Sequence, residues 1–167
     1  KWIELRDQLK FERMSAFGEA LPAIRRTIDR EQSHLALAVQ LLEKTLIRIG
    51  SEEYAEDNQT FGLTTLRKRH VRVEGDTVYF SFVGKSSKRH RIQLEDADLA
   101  KRVARLLIET RGQTLFGDIT AEHVNEYLKE ISGADISAKD FRTWFGSLVA
   151  LQALHDLPAP KSEKEAT

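Results

Sequence analysis

His70-Val71-Arg72-Val73-Glu74-Gly75-Asp76-Thr77-Val78-Tyr79-Phe80-Ser81-Phe82-Val83-Gly84-Lys85-Ser86-Ser87-Lys88-Arg89-His90-Arg91-Ile92-Gln93-Leu94 reads as three short strands joined by two turns. His70 to Val73 alternates polar and apolar residues, the period of a half-buried strand. Thr77 to Val83 is rich in β-branched and aromatic residues, which suit a pleated surface. Glu74-Gly75-Asp76 supplies a hairpin turn between them, and Gly84-Lys85-Ser86-Ser87 supplies a second. His90, Ile92 and Leu94 then alternate with Arg91 and Gln93 in a third strand. The stretch predicts a small three-stranded antiparallel sheet.

On both sides of it the apolar period becomes helical. Upstream, Leu9, Met14, Phe17, Leu21 and Ile24 line one face of a helix over about 7–29. Pro22 is expected to kink or divide it. Leu35, Val39, Leu42, Leu46 and Ile49 form the stripe of a second helix over about 33–49, with Gly50 placed as its C-cap. Ser51, followed by Glu52 and Glu53, reads as the N-cap and acidic first turn of a short third helix. Downstream, Asp96 or Asp98 caps a helix reaching Leu107 and Ile108. Thr120, with Glu122 behind it, opens another carrying Val124, Tyr127 and Leu128. Ser137 caps a last long helix through Phe141, Leu148, Leu151 and Leu154, which Pro158-Ala159-Pro160 ends. No internal repeat is present. The expected fold class is α+β: a mostly helical domain over 1–160 with one small three-stranded antiparallel sheet, and a polar tail or linker over 161–167.

The 167 residues are 41% hydrophobic and 31% charged, the composition of one globular domain. No apolar run reaches the roughly 18 residues of a membrane helix, and no signal peptide is visible. The first residue is Lys1 rather than Met, which suggests residues upstream. The chain has no cysteine, which excludes disulfides, thiolate metal sites and a cysteine nucleophile and fits a cytoplasmic protein. P-loop, dinucleotide and HExxH motifs are absent. His34, His70, His90, His123 and His155 lack metal-ligand spacing, so neither metal nor cofactor is expected. Net charge is zero, with 26 basic and 26 acidic residues. Its distribution is uneven, because residues 67–91 hold eight Lys/Arg against two Asp/Glu. Such a patch can hold a phosphate backbone, although a charged, solvated hairpin would look the same.

Three basic residues stand out by context. Arg48 lies at the expected C-terminal end of an apolar helix, where a cation is ordinary helix-dipole chemistry. Lys85 sits in a tight turn, where a lysine usually serves solubility. Arg142 interrupts the apolar Phe141-Arg142-Thr143-Trp144-Phe145, where a buried ion pair would satisfy its donors.

Taken together and in order, the segments resemble the type IB DNA topoisomerases, especially the compact bacterial and poxvirus forms. Leu46-Ile47-Arg48-Ile49-Gly50-Ser51-Glu52-Glu53-Tyr54 resembles the block holding the family's first catalytic arginine. Thr60-Phe61-Gly62-Leu63-Thr64-Thr65-Leu66-Arg67-Lys68-Arg69-His70-Val71 is similar to the block that follows. Phe82-Val83-Gly84-Lys85-Ser86 resembles the hairpin of the catalytic lysine, and Ser137-Ala138-Lys139-Asp140-Phe141-Arg142-Thr143-Trp144 the block of the second arginine. The similarity spans roughly residues 7–160.

The resemblance implies relaxation of supercoiled duplex DNA by transient single-strand cleavage. A tyrosine attacks the phosphodiester, forms a 3′-phosphotyrosyl bond and expels a 5′-hydroxyl, with no ATP or metal. Arg48 and Arg142 would clamp the non-bridging oxygens and Lys85 would protonate the departing 5′ oxygen. Lys85 is preferred to Lys88, Arg89 and Arg91 because it alone follows the Phe-Val-Gly turn. Tyr54, Arg67, Arg69 and Lys139 become candidate DNA-backbone contacts. The partner expected is double-stranded DNA rather than a membrane, and the protein is expected to be a nucleoid-associated monomer. The family pattern continues with a His or Asn and then the nucleophilic Tyr beyond the Pro-containing segment, and an N-terminal clamping domain precedes it. The present chain therefore reads as part of that pattern, inactive by itself. The tyrosine recombinases share the chemistry but typically carry a His three residues before the second arginine, where Lys139 stands here. A non-catalytic DNA-binding module is the other alternative.

Overall fold

The computed structural model describes residues 2–156. Helices α1 (Trp2–Arg30), α2 (His34–Thr45) and α3 (Glu52–Asn58) come first. Strands β1 (Val71–Glu74), β2 (Thr77–Val83) and β3 (Arg89–Glu95) follow, then α4 (Ala97–Glu109), α5 (Ala121–Ser132) and α6 (Ala138–His155). The fold is α+β, as the periodicities require. The expected Pro158-Ala159-Pro160 stop and the 161–167 tail lie outside the described residues.

The sheet has the order β1-β2-β3, antiparallel throughout. Val73 pairs with Val78 across the first hairpin, whose two-residue turn is Gly75-Asp76, with Gly75 at φ 56°. Val78, Phe80 and Phe82 point inward and are buried, while Tyr79 and Ser81 alternate outward. Helix α4 covers the inner face of β1 and β2, burying Leu99, Ala100, Val103 and Leu106. Asp96 is its N-cap, accepting from the Leu99 N–H at 3.0 Å. Thr120 caps α5 in the same way through the His123 N–H at 3.3 Å. The main core joins Phe17, Leu21, Ile24 and Ile28 of α1 to the buried face of α2 and to Phe141 of α6.

Three expectations are corrected. Helix α1 is not divided at Pro22 but runs unbroken through it. Pro22 faces solvent, and the buried stripe on the opposite face offsets the roughly 3 kcal/mol that an interior proline costs. Helix α2 stops at Thr45 rather than Ile49, because Leu46 turns into the left-handed region at φ 54°. The residues after it are taken by tertiary partners: Arg48 C=O accepts from Leu63 N–H at 2.7 Å and Ile49 C=O from Thr64 N–H at 2.9 Å. Gly50, at φ 93°, therefore ends this extended segment and does not cap α2. Finally, the apolar stripes overshoot the core. Leu9 at one end of α1, and Leu148, Leu151 and Leu154 on α6, are 44–64% exposed. Helix α6 is anchored instead through Ala138, Asp140 and Phe141, with Trp144 lying against Gly18 of α1.

Candidate active site

The three basic residues singled out in the sequence line one cavity of about 200 Å³, together with Thr45, Leu46, Ile47, Phe61, Phe82, Gly84, His90 and Ile92. Each comes from a different element: Arg48 from the extended segment after α2, Lys85 from the β2–β3 loop, and Arg142 from the second turn of α6.

The segment 61–64 laces two of these elements together. Its Phe61 N–H donates to Val83 C=O at 2.8 Å, at the foot of the Lys85 loop, and its Leu63 N–H donates to Arg48 C=O. Between them lies Gly62. A Cβ there would stand 2.3 Å from Gly50 N, 2.4 Å from Gly50 Cα and 2.5 Å from Arg48 O. Only glycine lets the two backbones come this close. The third element joins through Arg142, whose guanidinium donates to Leu46 C=O, the left-handed residue at the end of α2. Arg142 is thereby docked 96 residues away in sequence.

The electrostatics follow from this docking. Arg142 is half-buried and has no carboxylate within ion-pair distance among the described residues, so a buried ion pair does not account for it. Burial, and then the neighbouring Arg48 guanidinium, lower its pKa from the ordinary arginine value. Arg48 is exposed and lies on the segment beyond the end of α2 rather than in its last turn. A fold that holds two guanidinium groups against their mutual repulsion, beside a lysine, can bind an anion with bidentate geometry.

Helix α6 is fixed at its start by a second set of bonds. Arg13 of α1 donates from Nε to Asp140 Oδ1 at 2.7 Å and from Nη2 to Oδ2 at 2.9 Å. Asp140 Oδ2 also accepts from Ser137 N–H at 2.7 Å and from its hydroxyl at 3.0 Å. Ser137 therefore occupies the N-cap position with Asp140 closing the cap, while Ala138 N–H donates to Asn125 Oδ1 at 2.9 Å. Burial alone would push the Asp140 carboxyl up, but these hydrogen bonds and the Arg13 charge hold it below its ordinary value.

Comparison with known proteins places the chain in a family. Residues 1–167 match the family described as eukaryotic DNA topoisomerase I, catalytic core. The chain belongs to that family. It is similar to the DNA topoisomerase 1B of Acanthamoeba polyphaga mimivirus, 26% identical over 173 residues, covering 91% of this chain and 51% of that protein. It is 29% identical over 140 residues to the DNA topoisomerase 1B of Vaccinia virus, covering 77% of this chain and 44% of the relative. The DNA topoisomerase 1 of Drosophila melanogaster is 27% identical over 172 residues, covering 94% and 18%. The chain thus spans about half the length of the viral relatives. Among solved structures, the XerH site-specific recombinase bound to its difH substrate aligns with a TM-score of 0.54 at 20% identity. It covers 83% of this chain and 43% of the recombinase, and the likeness shows a shared fold.

The four residues expected to touch DNA in this topoisomerase-family chain are placed outside the cavity. Tyr54 on α3 is 62% exposed, and Lys139 on the first turn of α6 and Arg69 are also exposed. Arg67 is engaged: it pairs with Glu52 at 2.8 Å and lies over the Phe61 ring at 5.7 Å. Arg72 is likewise paired with Glu74, and Lys68 donates to Thr110 C=O. The basic stretch 67–91 therefore presents five exposed cations, Arg69, Lys85, Lys88, Arg89 and Arg91, with no ion-pair partner among the described residues. Of the cations near the β2–β3 turn, Lys85 alone lines the cavity. The sequence did not single out His90 or Gly62 as parts of the site, because their roles depend on contacts through space. No tyrosine among the described residues lines the cavity. Tyr79 faces outward on β2, and Tyr127 is buried against Glu31 at 2.7 Å, with its pKa raised by burial and by that hydrogen bond.

Proposed function

We propose that this chain supplies the phosphate-handling part of a type IB topoisomerase active site, and that the protein relaxes supercoiled DNA by transient single-strand cleavage. The observation that carries this is the convergence of Arg48, Lys85 and Arg142 on one cavity. Family membership gives it its chemical sense.

In the proposed step a tyrosine oxygen attacks the phosphorus of a DNA phosphodiester while the bond from phosphorus to the 5′ oxygen breaks. Negative charge develops on the non-bridging oxygens, where Arg48 and Arg142 are suited to stabilise it. The 5′ oxygen takes the bonding electrons and a proton from Lys85. The tyrosine loses its proton to solvent or a neighbouring base and is left as a 3′-phosphodiester. The covalent bond conserves the phosphoester energy, so the free 5′ end rotates and then attacks in reverse without ATP. On this reading the nucleophile is none of Tyr54, Tyr79 and Tyr127, which do not line the cavity. On this reading the partner is duplex DNA, the protein acts as a monomer, and it resides with the nucleoid in the cytoplasm. No helix among the described residues is long and apolar enough to cross a membrane.

Plasmid relaxation by the full reading frame containing this chain tests the proposal. Relaxation is expected in EDTA without nucleotide. Arg142→Ala should keep DNA binding and lose on the order of 10²–10³ in cleavage rate, the usual effect of removing one oxyanion donor. An unchanged rate in Arg142→Ala would overturn the assignment.

A further inference from the structure

Lys85 belongs to a five-residue loop, 84–88, closed by the Gly84 N–H donating to Lys88 C=O at 2.7 Å. Ser86 and Ser87 both take left-handed φ angles, 61° and 55°. Lysine carries its ammonium on a flexible four-carbon stem, so where Nζ can reach is set by where the Gly84-Lys85 backbone is held.

That backbone rests on a ring. His90, the cross-strand partner of Phe82, stacks on the Phe82 ring with centroids 5.1 Å apart and planes 16° from parallel. The same imidazole lies directly against Gly84, where a Cβ would come within 2.7 Å of both its Cδ2 and its Nε2. Gly84 has φ −103°, which any residue adopts, so a side chain here is opposed by the ring and not by the backbone angle. His90 is half-buried and lines the same cavity as Lys85.

We propose that His90 is a positioning residue for Lys85: its ring, braced by Phe82, sets the height and direction from which the lysine reaches the departing 5′ oxygen. The inference rests on the proposed role of Lys85 as proton donor. A misplacement of about 1 Å can cost on the order of 10²-fold in rate, so a planar support under the preceding residue controls that role. Phe82-His90 stacking and the glycine contact together place the ring directly against Gly84.

The test compares two DNA substrates in the full-length protein, one with the ordinary 5′-oxygen leaving group and one with a 5′-sulfur, which departs without protonation. Loss of folded protein lowers both rates equally, so the ratio reports proton donation alone. Lys85→Ala should be slow with oxygen and nearly restored with sulfur. His90→Ala should show the same pattern with a smaller loss, on the order of tenfold with oxygen. Lys85→Ala with His90→Ala together should be no slower with oxygen than Lys85→Ala alone. Gly84→Ala drives a Cβ into the ring and should also slow the oxygen substrate selectively. Adding His90→Ala to Gly84→Ala should recover part of that loss, because the clashing ring is gone. If His90→Ala slows both substrates equally, or neither, while Lys85→Ala is rescued by sulfur, the positioning role is wrong and the Lys85 assignment stands. If Lys85→Ala itself is not rescued by sulfur, the proton-donor assignment fails and the His90 proposal with it.

Discussion

Replacing Arg13 by alanine should loosen the start of α6, two residues from Arg142. The magnitude follows from the pair's exposure. Asp140 is 8% exposed and accepts a two-pronged guanidinium at 2.7 and 2.9 Å, but the Arg13 side chain is 44% exposed. Breaking a fully buried pair costs about 3–5 kcal/mol, and an exposed pair contributes about 1 kcal/mol or less. The intermediate exposure, and the cap bonds that Asp140 keeps to Ser137, place Arg13→Ala at about 2 kcal/mol. For a domain of this size that is a fall in Tm of roughly 4–8 °C.

The loss should depend on pH in a definite direction. The Asp140 carboxyl is held below its ordinary value in the folded protein. Its stabilisation is therefore complete above the unfolded value, about 3.9, and is lost as pH falls through the folded value. Arg13→Ala removes the guanidinium that depresses it. The Tm gap between parent and variant should be full at pH 7 and shrink on acidification below about pH 4. Thermal melts of both proteins across that range measure it. A gap that stays constant with pH, or one of less than about 1 °C at pH 7, would refute the claim that this ion pair anchors α6.

Gly62→Ala should destabilise the protein and abolish cleavage together, because its Cβ would meet the Gly50 and Arg48 backbones at 2.3–2.5 Å; a melt and a cleavage assay on one preparation check both. DNA affinity should fall with salt at a log–log slope of about −0.9 per phosphate, hence about −4.5 if all five unpaired cations of residues 67–91 engage. Lys88→Ser with Arg89→Ser should flatten that slope by about 1.8, as read by titration at several salt concentrations. Burial, then Arg69 and Arg67, lower the His70 pKa, so its neutral form is favoured by folding. That contribution is complete above the unfolded value of about 6.5 and is lost as pH falls through the lower folded value. His70→Gln should accordingly flatten the stability profile just below pH 6.5.

What the sequence reveals here divides along the range of the interactions involved. The sheet is readable because its determinants are local: alternation in Val71–Glu74, β-branched and aromatic residues over Thr77–Val83, and a glycine where the two-residue turn needs φ 56°. The starts of α4 and α5 are readable for the same reason, since Asp96 and Thr120 bond N–H groups three residues on. The end of α2 is not, because it is decided by amides of Leu63 and Thr64 that arrive from another segment. An apolar stripe likewise says which face of α6 is apolar but not how far the core extends along it, so Leu151 and Leu154 look like core residues and lie in solvent.

The site follows the same division. Arg48, Lys85 and Arg142 each have an ordinary local explanation, and only the order of their motif blocks marks them as a set. What makes them a set physically is three long-range bonds: Arg142 to Leu46 C=O, Leu63 N–H to Arg48 C=O, and Phe61 N–H to Val83 C=O. The donors and acceptors are mostly backbone groups, so side-chain identity carries little trace of them. The trace that does survive is in the glycines. Gly62 and Gly84 both sit where a Cβ would strike a neighbour, Gly50 in one case and His90 in the other. Each of these glycines adjoins the segment that presents a basic residue to the cavity. Close approach of the backbone, more than the charged residues themselves, is therefore what brings three unremarkable cations to one cavity.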